Sequence, residues 1–358
     1  MKLAALVMIS LVSVARAEPS DATAHVERLA DGVFVILHDP ATDYWSHSNT
    51  GVVIGTDAVL VIDSTYLPSR ARADIELIRK LTPKPVRYLA FTHWHDDHTN
   101  GTVAYRDAFP GLTIVAEEEM ARFIEITGPA HANEATAKDS EEHQRIAELD
   151  HMLATGRDAK GTPLDDAARR SFTRQLEQRK GELAELSSFV MVPANLRFVG
   201  HLTLDLGHRV VELKNWGHAN SPDDVTFYLP AERILFMGDL LVQDPLPYYS
   251  NSWPVPWIAV LKQLEQVPIT SLVTGHGPVF HDHRYMALVR ELMEKVVARV
   301  DELTRKGKSV EDMQKMIDME DFRVRWPTWK TPDMRVFWKR GIDRVIERSW
   351  RAIRGQGG

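Results

Sequence analysis

The chain has 358 residues, of which 44% are hydrophobic and 26% are charged, an ordinary composition for a globular protein that buries a large core. Its 50 acidic side chains outnumber its 43 basic ones and leave a formal net charge of -7, which argues against nucleic acid as a partner. It contains no cysteine, so disulfide bonds, thiolate metal ligands and cysteine nucleophiles are excluded.

Residues 1–17 have the features of a secretory signal peptide. Lys2 gives a positive start, residues 3–14 are apolar, and residues 15–17 (Ala-Arg-Ala) form a small-x-small cleavage site. A membrane anchor is the alternative, but a helix needs about 20 apolar residues to span a bilayer. No later segment is long and apolar enough to do so. We therefore predict a periplasmic or secreted protein whose mature chain starts at residue 18 and has no membrane span.

Between Val26 and residue 117 the pattern alternates between strands and helices. Short β-branched runs bounded by Gly and Asp predict strands, and a continuous apolar run predicts a strand buried on both faces. Apolar residues at helical spacing predict the helices between them. The predicted strands lie at 32–39, 50–56, 58–64, 86–92 and 112–117, and the predicted helices at 72–81 and about 100–109. This alternation is typical of an α/β layered domain.

Residues 118–195 interrupt the alternation. They are polar and rich in Glu, Arg and Ala, and Thr162 followed by Pro163 is typical of a helix start. We predict two helices inserted between the two halves of the core. The insert is either a solvated helical hairpin or a functional element, such as a lid over the site or a dimer contact.

Strands resume after the insert, and the chain then becomes helical. The predicted strands lie at 196–207, 208–216, 225–230, 233–240 and 271–275, with a helix near 254–267. From Tyr285 the pattern is helical, and Ser309 with Asp312 resembles a capping box. Thr331 with Pro332 opens the last helix. Apolar residues at helical spacing predict a core-facing stripe on it, formed by Phe337, Trp338, Val345, Ile346, Trp350 and Ile353.

The stretch FTHWHDDHTNG at residues 91–101 places three histidines and two aspartates within six positions. It follows a predicted buried strand, and α/β sheets bind their ligands at the carboxyl ends of strands. Burying so many titratable groups is costly unless something compensates them. A metal ion does so, because it holds imidazoles neutral and carboxylates ionised. Imidazole and carboxylate together suit zinc or another borderline divalent ion.

Side chains of the same kind recur where later strands end. His218 in NWGHANSPDD, Asp239 in LFMGDL and His276 in VTGHGP each follow an apolar strand at a Gly-flanked loop. Together with residues 91–101, they provide enough ligands for two metal ions that share a bridging carboxylate.

The combination of H-x-H-x-D-H, a lone His, a Gly-Asp and a Gly-His resembles the metallo-β-lactamase superfamily of metallohydrolases. The segments LADGVFVI and VLVIDS resemble its opening strands, and the resemblance covers residues 26 to about 283 outside the insert. It implies an α/β (α+β) fold, a four-layer αββα sandwich with the metals at one edge of two facing sheets. We therefore expect a metallo-β-lactamase-like domain at 18–284, with the helical insert at about 118–195, and a C-terminal helical extension at 285–358.

The resemblance also implies the metal ligands, in a set like that of glyoxalase II. The first metal would be held by His93, His95 and His218, the second by Asp97, His98 and His276, and Asp239 would bridge them. Asp63 would support the site by hydrogen bonding, and Asp96 falls at a variable position. Family members with a di-iron redox centre carry Glu at the position of His95, so histidine there favours zinc and hydrolysis. One departure is GHANSPDD, because many relatives have Thr after the histidine that corresponds to His218.

These residues predict a hydrolase with two zinc ions per chain that acts on a small molecule. A hydroxide bridging the ions would attack an ester, lactone, thioester or amide bond, and Asp97 would carry its proton to the leaving group. Asp239 resembles the bridging residue of the family's thioesterases, lactonases and phosphodiesterases, whereas its β-lactamases usually carry Cys or Ser there. A true β-lactamase and a non-catalytic metal-binding protein are the alternatives.

Aromatic side chains near the predicted site could contact an apolar substrate. They are Tyr248, Tyr249, Trp253 and Trp257 in the loop 242–257, and Trp45 with His47 in the stretch 43–49. Packing against the insert or the C-terminal helices is their alternative role.

Overall fold

The computed structural model of the chain describes residues 24–38, 47–243, 249–326 and 332–355. The predicted signal peptide, Trp45 and Tyr248 lie outside these residues. The strands are β1 (Ala24–Ala30), β2 (Val33–His38), β3 (Thr50–Ile54), β4 (Val59–Ile62), β5 (Val86–Ala90), β6 (Thr113–Glu117), β7 (Leu196–Phe198), β8 (His201–Asp205), β9 (Val210–Asn215), β10 (Val225–Leu229), β11 (Ile234–Phe236), β12 (Ser271–Val273) and β13 (Val279–Phe280). The helices are α1 (Pro68–Leu81), α2 (Asp96–Thr99), α3 (Thr102–Ala108), α4 (Glu118–Thr136), α5 (Glu141–Thr155), α6 (Asp166–Leu186), α7 (Pro254–Leu264), α8 (Arg284–Arg305), α9 (Val310–Met316), α10 (Glu320–Arg323) and α11 (Pro332–Ile353).

The strands form two sheets. The first sheet has the order β1-β2-β3-β4-β5-β6-β7, and the second has the order β13-β12-β11-β10-β9-β8. The first is antiparallel from β1 to β4 and parallel from β4 to β7. In the second, only the pair β11 and β12 is parallel. Parallel strands need helical crossovers, which place helices on the outer face of a sheet.

The two sheets pack face to face through one apolar core. Strand β4 is buried along its whole length, and Phe227 and Phe236 of the second sheet belong to the same core as its valines. Gly51 of β3 allows the close approach, because a Cβ atom there would lie 2.7 Å from Cε1 of Phe236. The sheets therefore form the two inner layers of the molecule.

Helices cover both outer faces. On the first sheet, α1 contributes Ala71, Ile75 and Ile78 to the core. On the second, a separate apolar cluster joins Leu235 and Leu272 of the sheet to helices α7, α8 and α11. Helix, sheet, sheet, helix is the four-layer arrangement that the sequence predicts, and the fold class is confirmed.

The helical tail lies against this second cluster. Trp338, Val345 and Ile346 of the predicted stripe are buried in it, and Trp350 and Ile353 pack on its edge; the side chain of Phe337 lies outside the described residues. Tyr249 and Trp257 are fully buried in the same cluster, so packing is their role. The domain boundaries at residues 18, 284 and 285 stay a prediction.

Two predictions about the middle of the chain are wrong. The insert contains three helices, α4 to α6, because α4 continues through Pro129, a residue that usually ends a helix. The predicted strand at 196–207 is two strands in different sheets, because the chain turns at Gly200, where φ is +75°. Glycine adopts this angle without strain. In the described part of the chain, no helix is both long and apolar enough to cross a membrane.

Candidate metal centre

The predicted ligands meet because the strands that carry them end at one edge of the sandwich. Strands β4 and β5 are parallel neighbours, and so are β11 and β12. Their carboxyl ends lead directly into Asp63, residues 93–98, Asp239 and His276. Parallel strands place such loops side by side, which is where α/β sheets bind ligands.

Six of the seven predicted ligands form two compact groups. The first group is His93, His95 and Asp239, and the second is Asp97, His98 and His276; within each group the ligand atoms lie within 4.8 Å of one another. Asp239 joins the groups: its Oδ2 lies 3.7 Å from Nε2 of His93, and its Oδ1 lies 3.3 Å from Nε2 of His98. A carboxylate that bridges two metal ions would lie between their ligand groups in this way.

The second group is held by hydrogen bonds to the sheets. Asp63 accepts hydrogen bonds from the backbone N–H and the hydroxyl of Thr92, both at 2.8 Å, and from Nδ1 of His98 at 2.8 Å. Nδ1 of His276 donates to the backbone carbonyl of His47 at 3.1 Å. Such contacts fix the tautomer of an imidazole and aim its other nitrogen at a metal, so His98 and His276 both present Nε2 to the centre.

In the first group, Nε2 of His93 faces Nδ1 of His95 across 2.8 Å. Burial lowers the pKa of both histidines, and the charge of neighbouring His98 adds to the effect. Both imidazoles are therefore neutral near pH 7, with a lone pair free to bind a metal ion.

The second group stabilises positive charge. Burial alone would raise the pKa of Asp239 and Asp97, but the neighbouring histidines, led by His276 for Asp239 and by His98 for Asp97, hold both pKa values well below the usual range. Burial alone would lower the pKa of His98, but the carboxylates, led by Asp63, raise it well above its usual value. The same field favours a bound cation.

Two buried atoms at the centre point to such a cation. Nε2 of His98 and Oδ1 of Asp239 are buried, and no atom in the described part of the chain forms a hydrogen bond of suitable geometry with either. Buried polar atoms are normally satisfied, so orphaned donors and acceptors in one place call for a missing ion or water. Imidazole nitrogens and carboxylate oxygens in this number fit zinc.

The seventh predicted ligand, His218, lies in neither group. Its side chain is exposed, and its ring stacks on Trp253 with centroids 4.5 Å apart and planes inclined by 10°. Two residues later, Asn220 is fully buried, and neither atom of its amide has a hydrogen-bond partner among the residues that the structure describes. Sequence reasoning missed Asn220, and the only signal for it was the departure GHANSPDD.

Asp96 connects the metal motif to the insert. Its Oδ2 lies 2.9 Å from Nδ1 of His131 on α4, and this hydrogen bond raises the pKa of the histidine. Next to it, Trp94 stacks on Phe123 of the same helix, with centroids 5.7 Å apart. The insert thus contacts the loop that carries the ligands.

Comparisons with known proteins identify the family and the fold. The sequence pattern of the metallo-beta-lactamase superfamily matches residues 43–300. A linear primary-alkylsulfatase from a Pseudomonas species is 22% identical over 254 residues, which cover 69% of this chain and 45% of the relative.

Solved structures show the same fold. A metallo-beta-lactamase from Pontibacter korlensis has a TM-score of 0.51 at 19% identity, over 76% of this chain and 99% of its own. The stereoselective inverting sec-alkylsulfatase Pisa1 from Pseudomonas sp. has a TM-score of 0.61 at 13% identity, over 92% of this chain and 50% of its own. The chain therefore spans about half the length of the alkylsulfatases that it matches.

Proposed function

Because the chain belongs to the metallo-β-lactamase superfamily, we propose that it is a dinuclear zinc hydrolase that cleaves ester bonds, with alkyl sulfate esters as its substrate class. The superfamily and its alkylsulfatase and β-lactamase relatives point to a hydrolase. The observation that carries the dinuclear proposal is the pair of ligand groups joined by Asp239.

In this proposal each group holds one ion. His93, His95 and Asp239 would hold the first, and Asp97, His98 and His276 the second, with Asp239 shared between them. Zinc ions bound there would lower the pKa of water and polarise the ester that is attacked. Hydrolysis of an alkyl sulfate adds water across the ester linkage and releases the alcohol and sulfate.

In this proposal Asp97 moves the proton. Its Oδ2 lies 3.0 Å from Nε2 of His276, and its lowered pKa keeps it ionised near pH 7. An ionised carboxylate would accept the proton that the attacking water loses and pass it to the leaving group.

Two observations support sulfate esters over β-lactams. The likeness in fold to the sec-alkylsulfatase extends over more of this chain than the likeness to the β-lactamase from Pontibacter korlensis. The bridging position is Asp239, where the family's β-lactamases usually carry Cys or Ser. A true β-lactamase is therefore the alternative that the experiment must reject.

The experiment is metal analysis of the purified protein, followed by a substrate panel. We expect two zinc ions per chain and hydrolysis of alkyl sulfates in preference to lactones, thioesters, phosphodiesters and β-lactams. Fewer than one ion per chain after reconstitution with zinc would overturn the dinuclear proposal. Faster turnover of β-lactams than of alkyl sulfates would show that β-lactams, and not alkyl sulfates, are the substrate class.

We also propose that the protein is exported and cleaved after residue 17, on the basis of its apolar N-terminal segment. N-terminal sequencing of the mature protein is expected to begin at Glu18. Recovery of the uncleaved chain in the cytoplasm would contradict this.

A further inference from the structure

We propose that Asn220, and not His218, completes the first metal group by binding the ion through its side-chain amide oxygen. The inference rests on the proposed dinuclear site and concerns which residue of the loop 217–224 enters it. Two sets of contacts carry it. One set holds His218 outside the centre, and the other anchors the loop that carries the buried amide of Asn220 to Thr92, the residue before His93.

His218 is held on the outer side of the loop by aromatic stacking. Its ring lies flat on Trp253, and the guanidinium carbon of Arg348 on α11 lies 5.4 Å from the centroid of the same indole. Nε of Arg348 also donates to the carbonyl of Ser252 at 2.7 Å. Moving His218 into the centre would break this stack, which the last helix of the chain helps to fix.

Backbone hydrogen bonds fix the loop on either side of Asn220. The N–H of Trp253 donates to the carbonyl of Ala219 at 2.8 Å, and the N–H of Ala219 donates to the carbonyl of Ser221 at 2.9 Å. These bonds make a tight turn with Asn220 at its tip. The side chains of successive residues in such a turn point in different directions, so an exposed His218 is compatible with a buried Asn220.

The C-terminal end of the loop lies next to the ligand-bearing stretch. The N–H of Val225 donates to the carbonyl of Thr92 at 2.7 Å, and Thr92 directly precedes His93. At the other end, the N–H of Trp216 donates to the carbonyl of Asp224 at 2.8 Å. The loop is thus closed on itself and anchored beside the first metal group.

The buried amide of Asn220 needs a partner. The residue has no exposed surface, and both its oxygen and its nitrogen lack a hydrogen-bond partner in the described structure. A buried amide left unsatisfied costs free energy. A divalent ion held by His93, His95 and Asp239 has room for one more protein ligand, and an amide oxygen is a ligand that such ions accept.

The choice of ligand has a measurable consequence. Both groups contain two imidazoles and share Asp239, and the ligands that differ are the neutral amide of Asn220 and the ionised carboxylate of Asp97. A neutral amide oxygen is a weaker ligand for zinc than a carboxylate, so the first group should bind zinc less tightly than the second. The two ions are therefore expected to load in order, with the second group filled first.

Zinc titration of the metal-free full chain against a competing chelator tests the assignment. Asn220→Leu keeps the size of the side chain but removes its oxygen, and we expect at least 10-fold weaker binding at the weaker site with the tighter site unchanged. Asn220→Asp should bind zinc at the weaker site as tightly as the wild type or more tightly. His218→Ala should leave both affinities unchanged.

A second measurement does not depend on zinc. Asn220→Leu removes an unsatisfied buried amide, so metal-free Asn220→Leu should melt at a higher temperature than metal-free wild type. If His218→Ala lowers the zinc affinity of one site and Asn220→Leu lowers the affinity of neither, Asn220 is not the ligand. This outcome would leave the proposed dinuclear site unchanged. If the wild type itself binds fewer than two ions, the proposed function fails, and this outcome is distinct from the first.

Discussion

The molecule buries ionisable side chains in several places, and two of these places differ in the charges that they contain. The metal centre combines carboxylates with imidazoles. The other place, here called the insert cluster, consists of Arg70 of α1 with Glu142, Arg179 and Glu182 of the insert. In the insert cluster Arg179 lies 2.6 Å from Glu142, and the charge of Glu182 also acts on Arg70.

This difference in charged groups distinguishes a metal-binding site from a structural network of ion pairs. Each carboxylate of the insert cluster has a guanidinium nearby, and arginine stays protonated under all ordinary conditions. At the metal centre, Asp239 is balanced by His98 and His276, which can lose their protons, so a metal ion from solution can take over the positive charge there. Changes at the metal centre should therefore alter metal content, and changes in the insert cluster should alter stability alone.

The largest expected effect follows from Asp239→Ala. Because Asp239 is shared by both groups, its loss should reduce bound zinc below one ion per chain and lower kcat/KM by about 10³-fold or more. Metal analysis and a hydrolysis assay measure both changes. Asp96→Asn is the matched control: it alters the aspartate that pairs with His131 and should retain two ions. Full activity of Asp239→Ala would refute the bridging role.

A smaller effect is expected for Asp63→Asn, which removes charge from the residue that orients His98. Asparagine tolerates the left-handed backbone of Asp63, where φ is +64°, so the backbone should not change. We expect zinc affinity at the second group to fall by about 10- to 100-fold, as measured by chelator competition. An unchanged affinity would mean that the hydrogen bond to His98 does not tune the site.

The sequence was sufficient to predict that six of the proposed ligands lie together, because several of them follow strands. An apolar strand that stops at a Gly-flanked His or Asp brings that residue to the sheet edge, although the direction of its side chain depends on contacts elsewhere in the fold. Asp239 and His276 follow this pattern, and Oδ1 of Asp239 lies 3.6 Å from Nε2 of His276. The strand and helix periods are local and predicted an α/β layered domain, whereas the four-layer αββα arrangement was implied by the resemblance to the metallo-β-lactamase superfamily.

The position of His218 could not be derived in this way, because it lies in a loop whose path depends on distant contacts. Its outward orientation requires Trp253 and, through it, Arg348 of α11. The insert cluster was also invisible in the sequence. Arg179 and Glu142 lie 37 residues apart, and only the packing of α5 on α6 brings their charges together.

Arg179→Met tests the insert cluster from its cationic side. The side chains of Arg179 and Glu142 are each only 11% exposed, so removing the cation takes a 2.6 Å ion pair away from a mostly buried carboxylate. We expect a loss of about 2 kcal/mol in the free energy of unfolding, with two zinc ions still bound. The double variant Arg179→Met/Glu142→Gln should recover part of the loss, because the side chain that lost its guanidinium is then neutral. A loss of zinc in Arg179→Met would contradict our expectation that changes in the insert cluster alter stability and not metal content.

The smallest expected effect depends on pH and concerns Glu182. Burial raises the pKa of its carboxyl from 4.5 to about 7, and the charge of Glu142 adds to this. Between these two pH values the folded state keeps the proton while the unfolded state loses it. The free energy of unfolding therefore decreases as pH rises, and the full decrease is reached above pH 7. Below pH 4.5 the carboxyl is protonated in both states, and the free energy of unfolding is not decreased.

Glu182→Gln removes this titration while keeping the size and hydrogen-bonding capacity of the side chain. The variant should be more stable than the wild type by about 1–2 kcal/mol at pH 8 and equal to it at pH 4.5. The difference between the two proteins at each pH, measured by thermal unfolding of the metal-free chain, cancels pH effects that they share. Glu177→Gln, an exposed position on the same helix, should show no such difference. If the advantage of Glu182→Gln does not grow with pH, the arginines of the insert cluster already hold this carboxyl ionised, and both buried places would then carry charge at neutral pH.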